Sequence, residues 1–233
     1  MDISSSTLTQ LWRLSGLPDL APGAPSLTGA DPVLPSSFRV GTAAQASIAA
    51  AALAAAEIWR RRTGGTQQVG VDMRHAAAEF RSERHLRIDG AVPPDPWDRI
   101  AGTYRCGDGR WVRLHTNFPH HRDGMLRLLD CAHDRAAVTA ALARWQAEAF
   151  ETAAAEAGLA VTCLRSFAEW DAHPQGQAVA ALPALSIERI GDAPPVPLGP
   201  PGARPLSGLR ALDLTRVIAG PVCGRALAAH GPD

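Results

Sequence analysis

The chain has 233 residues with 23 basic and 23 acidic side chains, so its formal net charge is zero, and 46% of its residues are hydrophobic. That is enough apolar content to bury a core in one large or two small domains, and the balanced charge leaves no footprint for nucleic acid or an anionic membrane. All 23 basic residues are Arg. Without Lys the chain cannot form a Schiff base or complete a Walker A phosphate loop, which excludes aldolase, PLP and P-loop chemistry.

Residues 1–40 are rich in Ser, Pro and Gly and read as an irregular segment, with one short helix near Leu8 to Ser15. The opening Met1-Asp2-Ile3-Ser4 has no basic region followed by an apolar one, and Cys106, Cys131, Cys163 and Cys223 form no C-x-x-C pair. Reduced thiols in a cytoplasmic protein are expected. Thr42 to Arg62 reads as one long helix. Strong helix formers run through it without Gly or Pro, Arg60, Arg61 and Arg62 suit the negative end of its dipole, and Thr63-Gly64-Gly65 stops it. Its apolar run from Ala43 to Ala56 is Ala-rich and broken by Gln45 and Ser47, so no membrane span is expected.

Gln68 to Met73 reads as a strand and His75 to Arg84 as a polar-faced helix. After Pro93, Pro94 and Pro96, Gly102 to Cys106 and Arg110 to His115 form a hairpin around Asp108-Gly109. Helices follow over Arg122 to Leu129 and Asp134 to Ala157, the second broken near Trp145 to Ala149 and stopped at Gly158. Ala160 to Leu164 is a strand, Ser166 and Glu169 have the spacing of a capping box, and Ala184 to Ile190 is a further strand. Residues 192–207 are dominated by Pro and Gly and read as a linker. Leu209 to Leu214 reads as a buried parallel strand, and Pro221 opens a helix to about His230. One strand and one helix cannot bury each other, so residues 208–233 read as the start of a second, incomplete unit.

Three imidazoles, His115, His120 and His121, fall close together, but Pro119 and the loop composition argue for a solvated turn rather than a metal site. Gly64-Gly65 ends a helix instead of opening one, which disfavours a phosphate cradle. No Gly-x-Ser-x-Gly elbow occurs. The loop Val217-Ile218-Ala219-Gly220-Pro221 is more informative: small residues precede a helix N-terminus, where backbone can approach an anionic or carbonyl group. The bland alternative is a tight turn between a strand and a helix of a parallel sheet.

The run from Pro205 to Pro221 with Leu227-Ala228-Ala229-His230-Gly231 resembles the opening of family III CoA-transferases, the CaiB/BaiF family of formyl-CoA transferase, carnitine CoA-transferase and α-methylacyl-CoA racemase. Arg60 to Val69, Val71-Asp72-Met73 with Ala76-Ala77-Ala78, the Tyr104 to Val112 hairpin, Ala155 to Val161, and Glu169 to Gly176 resemble later portions of the same family, with Thr66 standing where a glycine is expected. The resemblance implies an α/β fold, a Rossmann-like domain plus a small α+β domain, incomplete in this chain. Residues 41–191 would be a partial copy containing the small hairpin domain, and 208–233 the start of a second copy, as in a tandem or permuted protein.

The resemblance further implies CoA transfer between an acyl-CoA thioester and a carboxylic acid, with coenzyme A as substrate and neither a separate cofactor nor a metal. Arg216, Ile218, Ala219 and Gly220 would line the thioester end of CoA. The partner would be a second copy, as a homodimer or within a tandem chain. Alternatives are an acyl-CoA racemase or isomerase of the same superfamily, or a non-catalytic lobe completing an interlocked fold. In the family an Asp that carries the acyl group lies a few residues before the glycine opening the Ala-rich helix. Here that place is Ser36 to Gly41, and no Asp or Glu occurs from Pro32 to Ala56. Asp31 stands too far upstream to match, so the catalytic residue stays unassigned.

Overall fold

The computed structural model describes residues 2–17 and 25–232, which divide into two compact units. The first comprises the chain up to Leu86 together with the chain from Pro183 onward, and the second is Arg87–Leu182.

In the first unit, helix α1 (Ile3–Leu14) is capped by Asp2, whose carboxylate accepts from the Ser5 amide at 2.9 Å. Strand β1 (Ser26–Thr28) leads through a loop into helix α2 (Val40–Thr63), and strand β2 (Gly70–Asp72) runs directly into helix α3 (Met73–Phe80). Strands β1 and β2 pair in parallel, Leu27 opposite Val71, with α2 as the crossover. The residues read as an irregular opening therefore carry a full helix and a strand, while residues 18–24 of that stretch lie outside the described residues.

α2 packs against α1 and α3, and its buried face is made of Ala44, Ala46, Ala49 and Ala55, small enough to let its neighbours approach closely. The helix is 24 residues long, and its most apolar window has mean hydropathy 1.2, which by length and composition would suffice to cross a membrane. Within this unit it packs as a core helix. Gln45, only 1% exposed, donates its side-chain amide to the carbonyls of Thr28 and Val71, both at 2.8 Å, and so ties α2 to both strands. Gly64 ends the helix as expected, in the left-handed region at φ 75° with its N–H on the Arg60 carbonyl at 2.8 Å.

Two expected strands are absent. Ala184 to Ile190 and Leu209 to Leu214 adopt no strand, because no neighbouring strand in the described residues pairs with them. Leu212 and Leu214 are 83% and 85% exposed. The final helix, α9 in chain order (Ala219–Ala229), opens two residues earlier than Pro221 suggests.

The Pro/Gly stretch before that helix has no regular structure, yet it is anchored. The Arg62 guanidinium donates to four carbonyls, those of Pro205 (2.8 Å), Ser207 (3.0 Å), Gly199 (3.1 Å) and Pro200 (2.7 Å). Leu206 is buried and its amide donates to the His230 carbonyl at 2.8 Å. Arg225 of the final helix pairs with Glu79 and donates to Ser82 Oγ at 2.9 Å.

The second unit is a three-stranded antiparallel sheet, β3 (Gly102–Arg105), β4 (Trp111–Leu114) and β5 (Val161–Cys163), in that order. Helices α4 (Pro119–Leu129), α5 (Arg135–Leu142) and α6 (Ala147–Glu156) bring Met125, Leu129, Val138, Leu142 and Phe150 into one core with Ile100, Tyr104, Val112 and Leu114. The Asp108-Gly109 turn closes the hairpin as expected, with Gly109 at φ 82°, and the Asp108 carboxylate also accepts from the Ala147 amide at 2.9 Å. Glu151 of α6 accepts from the Cys163 amide at 2.7 Å and from Arg165 at 2.5 Å. Helix α7 (Phe167–Ala172) starts on the expected Ser166–Glu169 capping box. It is followed by α8 (Pro174–Ala180), where Pro stands at a favourable first helical position.

Replacing Arg62 by Met removes one donor set from four carbonyls and is expected to cost about 1–3 kcal/mol locally. Amide exchange at Leu206 and Leu209 should accelerate at least about fivefold, by the same energy, while Val112 in the other unit keeps its wild-type rate. Equal acceleration at all three would show that Arg62 does not act as a local clamp.

Candidate functional site

Parallel strands joined by a crossover helix direct ligands to the carboxyl edge of the strands, where helix N-termini point outward. Here that edge is formed by the ends of β1 and β2 and by the first turns of α2 and α3. The first turn of α2 contains no acidic residue, and its N-cap position, Arg39, makes no capping bond. Its free N–H groups are met instead by a residue from the loop after β1. Asp31 Oδ1 accepts from the Gly41 amide at 3.1 Å, while Oδ2 accepts from the Thr42 amide at 2.9 Å and from Thr42 Oγ1 at 2.6 Å. These bonds, with Thr42 the largest contributor, hold the Asp31 carboxyl below the usual carboxylate range.

Gly41 has to be a glycine. A Cβ there would collide with Asp31 Oδ1 and would lie 2.7 Å from Val33 Cγ2 and 2.8 Å from Met73 Sδ. Beside it, Asp72 caps α3 through the Arg74 and His75 amides at 3.0 and 3.2 Å and accepts from Thr28 Oγ1 at 3.0 Å. Two carboxylates therefore stand at the two helix N-termini of one strand edge, each accepting three hydrogen bonds from local donors.

Asp31 is the residue that sequence spacing discards. Ten positions separate it from Gly41, and only the folded loop brings the two together. The available signal was a helix without a local cap and a nearby unassigned Asp.

The CoA-lining candidates sit elsewhere in the same unit. Arg216 is exposed, Val217 has φ 75°, Ile218 is 63% exposed, and Ala219 and Gly220 form the first turn of the final helix. The loop folds back on that turn: Asp213 accepts from the Thr215 amide at 2.8 Å and from its hydroxyl, and a Cβ at Gly220 would strike the Thr215 side chain. The small residues thus serve a tight loop, and the helix N-terminus remains accessible.

In the second unit His115 lies in the irregular segment after β4, whereas the other two histidines are helical rather than in a turn. His120 and His121 lie in the first turn of α4, which begins at Pro119, and their ring centres are 4.2 Å apart. Burial, with His120 and His115 beside it, pushes the His121 pKa down. Among the described residues no three His, Cys, Asp or Glu side chains are grouped to hold a metal ion. Asp98 bonds His133 Nε2 at 2.9 Å, but it also accepts from the Ile100 amide and Thr116 Oγ1, both at 3.0 Å, and so works as a structural knot. Burial raises the Cys106 thiol to about 11, which leaves it unreactive.

The model of CoA-transferase family III matches residues 11–196. The chain belongs to this family. It is 24% identical over 201 residues to an acyl-CoA transferase of Gibberella moniliformis, an overlap covering 71% of this chain and 35% of that protein. Among solved structures, the hypothetical protein Rv3272 of Mycobacterium tuberculosis is 18% identical with TM-score 0.53, covering 76% of this chain and 51% of that one. Its orthorhombic form gives TM-score 0.54 at 18% identity, covering 77% and 51%. The chain thus spans about a third of the fungal relative and about half of the mycobacterial one. The likeness to Rv3272 is one of fold, and it places this chain in the α/β class expected from the sequence.

Asp31→Ala removes a helix cap and is expected to lower stability at pH 7 by about 0.5–2 kcal/mol. Because the folded-state pKa lies below the unfolded one, the contribution is complete above about pH 4 and is lost as pH falls through the lower, folded value. Urea midpoints of wild type and variant should therefore converge on acidification. A gap that stays constant from neutral to strongly acid pH would show that the carboxylate charge is not what holds α2.

Proposed function

We propose that the chain is one lobe of an enzyme that moves CoA from an acyl-CoA thioester to a carboxylic acid, and that this lobe shapes the site without carrying the acyl group itself. Family membership supports the reaction class. The observation that carries the lobe's role is the occupancy of Asp31. In the family's reaction a carboxylate attacks the thioester carbonyl, forms an acyl anhydride and releases the CoA thiolate, which then attacks the anhydride to give an enzyme-bound CoA thioester and free acid. Such a carboxylate needs a free lone pair aimed at the carbonyl. Asp31 instead turns both oxygens to the α2 N-terminus, where they accept three hydrogen bonds from Gly41 and Thr42, and no other carboxylate occurs between Pro32 and Ala56.

In this reading CoA is a substrate and no separate cofactor is required. Arg216, Ile218, Ala219 and Gly220 approach the thioester end of CoA, where N–H groups of the final helix stabilise charge developing on the carbonyl oxygen. The acyl-carrying Asp comes from a partner, either a second copy or another part of a longer chain, and the assembly works in the cytoplasm.

Hydroxylamine trapping tests the assignment. With an acyl-CoA and hydroxylamine, the 233-residue chain should show no hydroxamate on Asp31 by peptide mass spectrometry, and no exchange of CoA between two acids. A hydroxamate at Asp31 would make it the acyl carrier and overturn the proposal.

A further inference from the structure

A cavity lies along α3 and the turn that follows it. Its volume is about 330 Å³, at the lower end of the range for small-ligand sites, roughly 300–1,000 Å³. Val33 and Leu34 from the loop after β1 form one wall. The other is one face of α3, where Arg74, Ala77, Ala78 and Arg81 follow at helical spacing, continued by Arg84 and His85. The lining thus holds three guanidinium groups, one imidazole and no carboxylate, in a chain whose formal net charge is zero.

The neighbouring acids are engaged. Glu79 pairs with Arg225, and Glu83 reaches Arg84 at 3.4 Å on the exposed side. Arg81 and Arg84 could be explained by the negative end of the α3 dipole, since both lie at or beyond its C-terminus. Arg74 stands in the first turn, at the positive end, where only the capping Asp72 carboxylate offsets its charge. A bound anion in the cavity would give all three guanidinium groups a shared counter-charge.

We propose that this cavity binds a small phosphate monoester, its dianionic head held by Arg74, Arg81 and Arg84 and its apolar body against Val33, Leu34, Ala77 and Ala78. A phosphate monoester carries a charge of about −1.5 to −2 near neutral pH, which matches several guanidinium groups better than a single carboxylate does. The planar guanidinium fork pairs two phosphate oxygens at once. The four apolar side chains give the ester group a surface that a bare inorganic anion leaves unused.

The proposal does not rest on the CoA-transfer reading, and its test measures binding rather than turnover. Titration calorimetry on the 233-residue chain at low salt would compare phenyl phosphate, inorganic phosphate and benzoate. Phenyl phosphate should bind tightest, and Arg74→Ala with Arg81→Ala should weaken it at least about tenfold, as expected for charge-assisted hydrogen bonds. Arg61→Ala, on α2 and paired with Glu57, should leave binding unchanged. Arg81→Gln keeps much of the aliphatic stem and should also lose affinity, so a folding defect in the double variant does not decide the outcome. Absent binding, inorganic phosphate or benzoate binding as tightly as phenyl phosphate, or affinity untouched by the Arg74 and Arg81 changes would each overturn the proposal.

Discussion

The N-terminus of α2 is the constraint around which the first unit is organised. A 24-residue helix begins with unpaired N–H groups and has no capping side chain at its own start. The loop after β1 must therefore turn back far enough to bring Asp31 to Gly41 and Thr42. That return carries Val33 to within contact of the Gly41 backbone and brings Leu34 to the wall of the basic cavity. It also explains why Gly41, the second residue of the helix, has no room for a Cβ. A single capping arrangement thus sets the loop path, the use of the one nearby carboxylate and the shape of the adjoining cavity.

A two-stranded parallel sheet is a weak platform by itself, since its ladder is short and, among the described residues, both strands have open edges. The first unit compensates with polar side chains that reach backbone carbonyls over long sequence separations. Gln45 joins the helix to both strands, and Arg62 gathers four carbonyls of the Pro/Gly stretch at the helix's far end. Both side chains sit on α2, so the helix works as a post with one polar anchor near each end. The final helix is held by a third such contact, Arg225 with Glu79 and Ser82.

What the sequence reveals follows from how local each signal is. Gly64 as a left-handed stop, Asp108-Gly109 as a hairpin turn and Ser166 with Glu169 as a capping box are set by residues within a few positions of one another, and all three appear in the fold. The strands expected at Ala184 to Ile190 and Leu209 to Leu214 depend on partners, which apolar composition cannot specify, and there the expectation fails. The placement of His120 and His121 fails for another reason: Pro119 was read as a breaker, whereas at a first helical position it is a starter. At the candidate site the sequence locates the helix that frames the edge but not the carboxylate that meets it, because the nine residues between Asp31 and Gly41 conceal the contact.

The two units also differ in what their cores are made of, and this bears on where binding belongs. The second unit buries Phe150, Ile100, Leu114, Met125 and Leu142, side chains of a size whose burial contributes about 1.5–3 kcal/mol each. The first buries mainly alanines along α2 and α3, with Leu8, Trp12, Met73 and Leu206 around them. Alanine removes little apolar area from water, so the first unit depends more on its hydrogen-bonded anchors, which act at a few points rather than over a continuous surface. Regions of that kind open locally at lower cost than densely packed ones. The helix N-termini, the strand edge and the arginine-lined cavity all lie in this unit. A ligand held there adds contacts where the intrinsic packing is thinnest, so its binding stabilises the fold by linkage as well as filling a site.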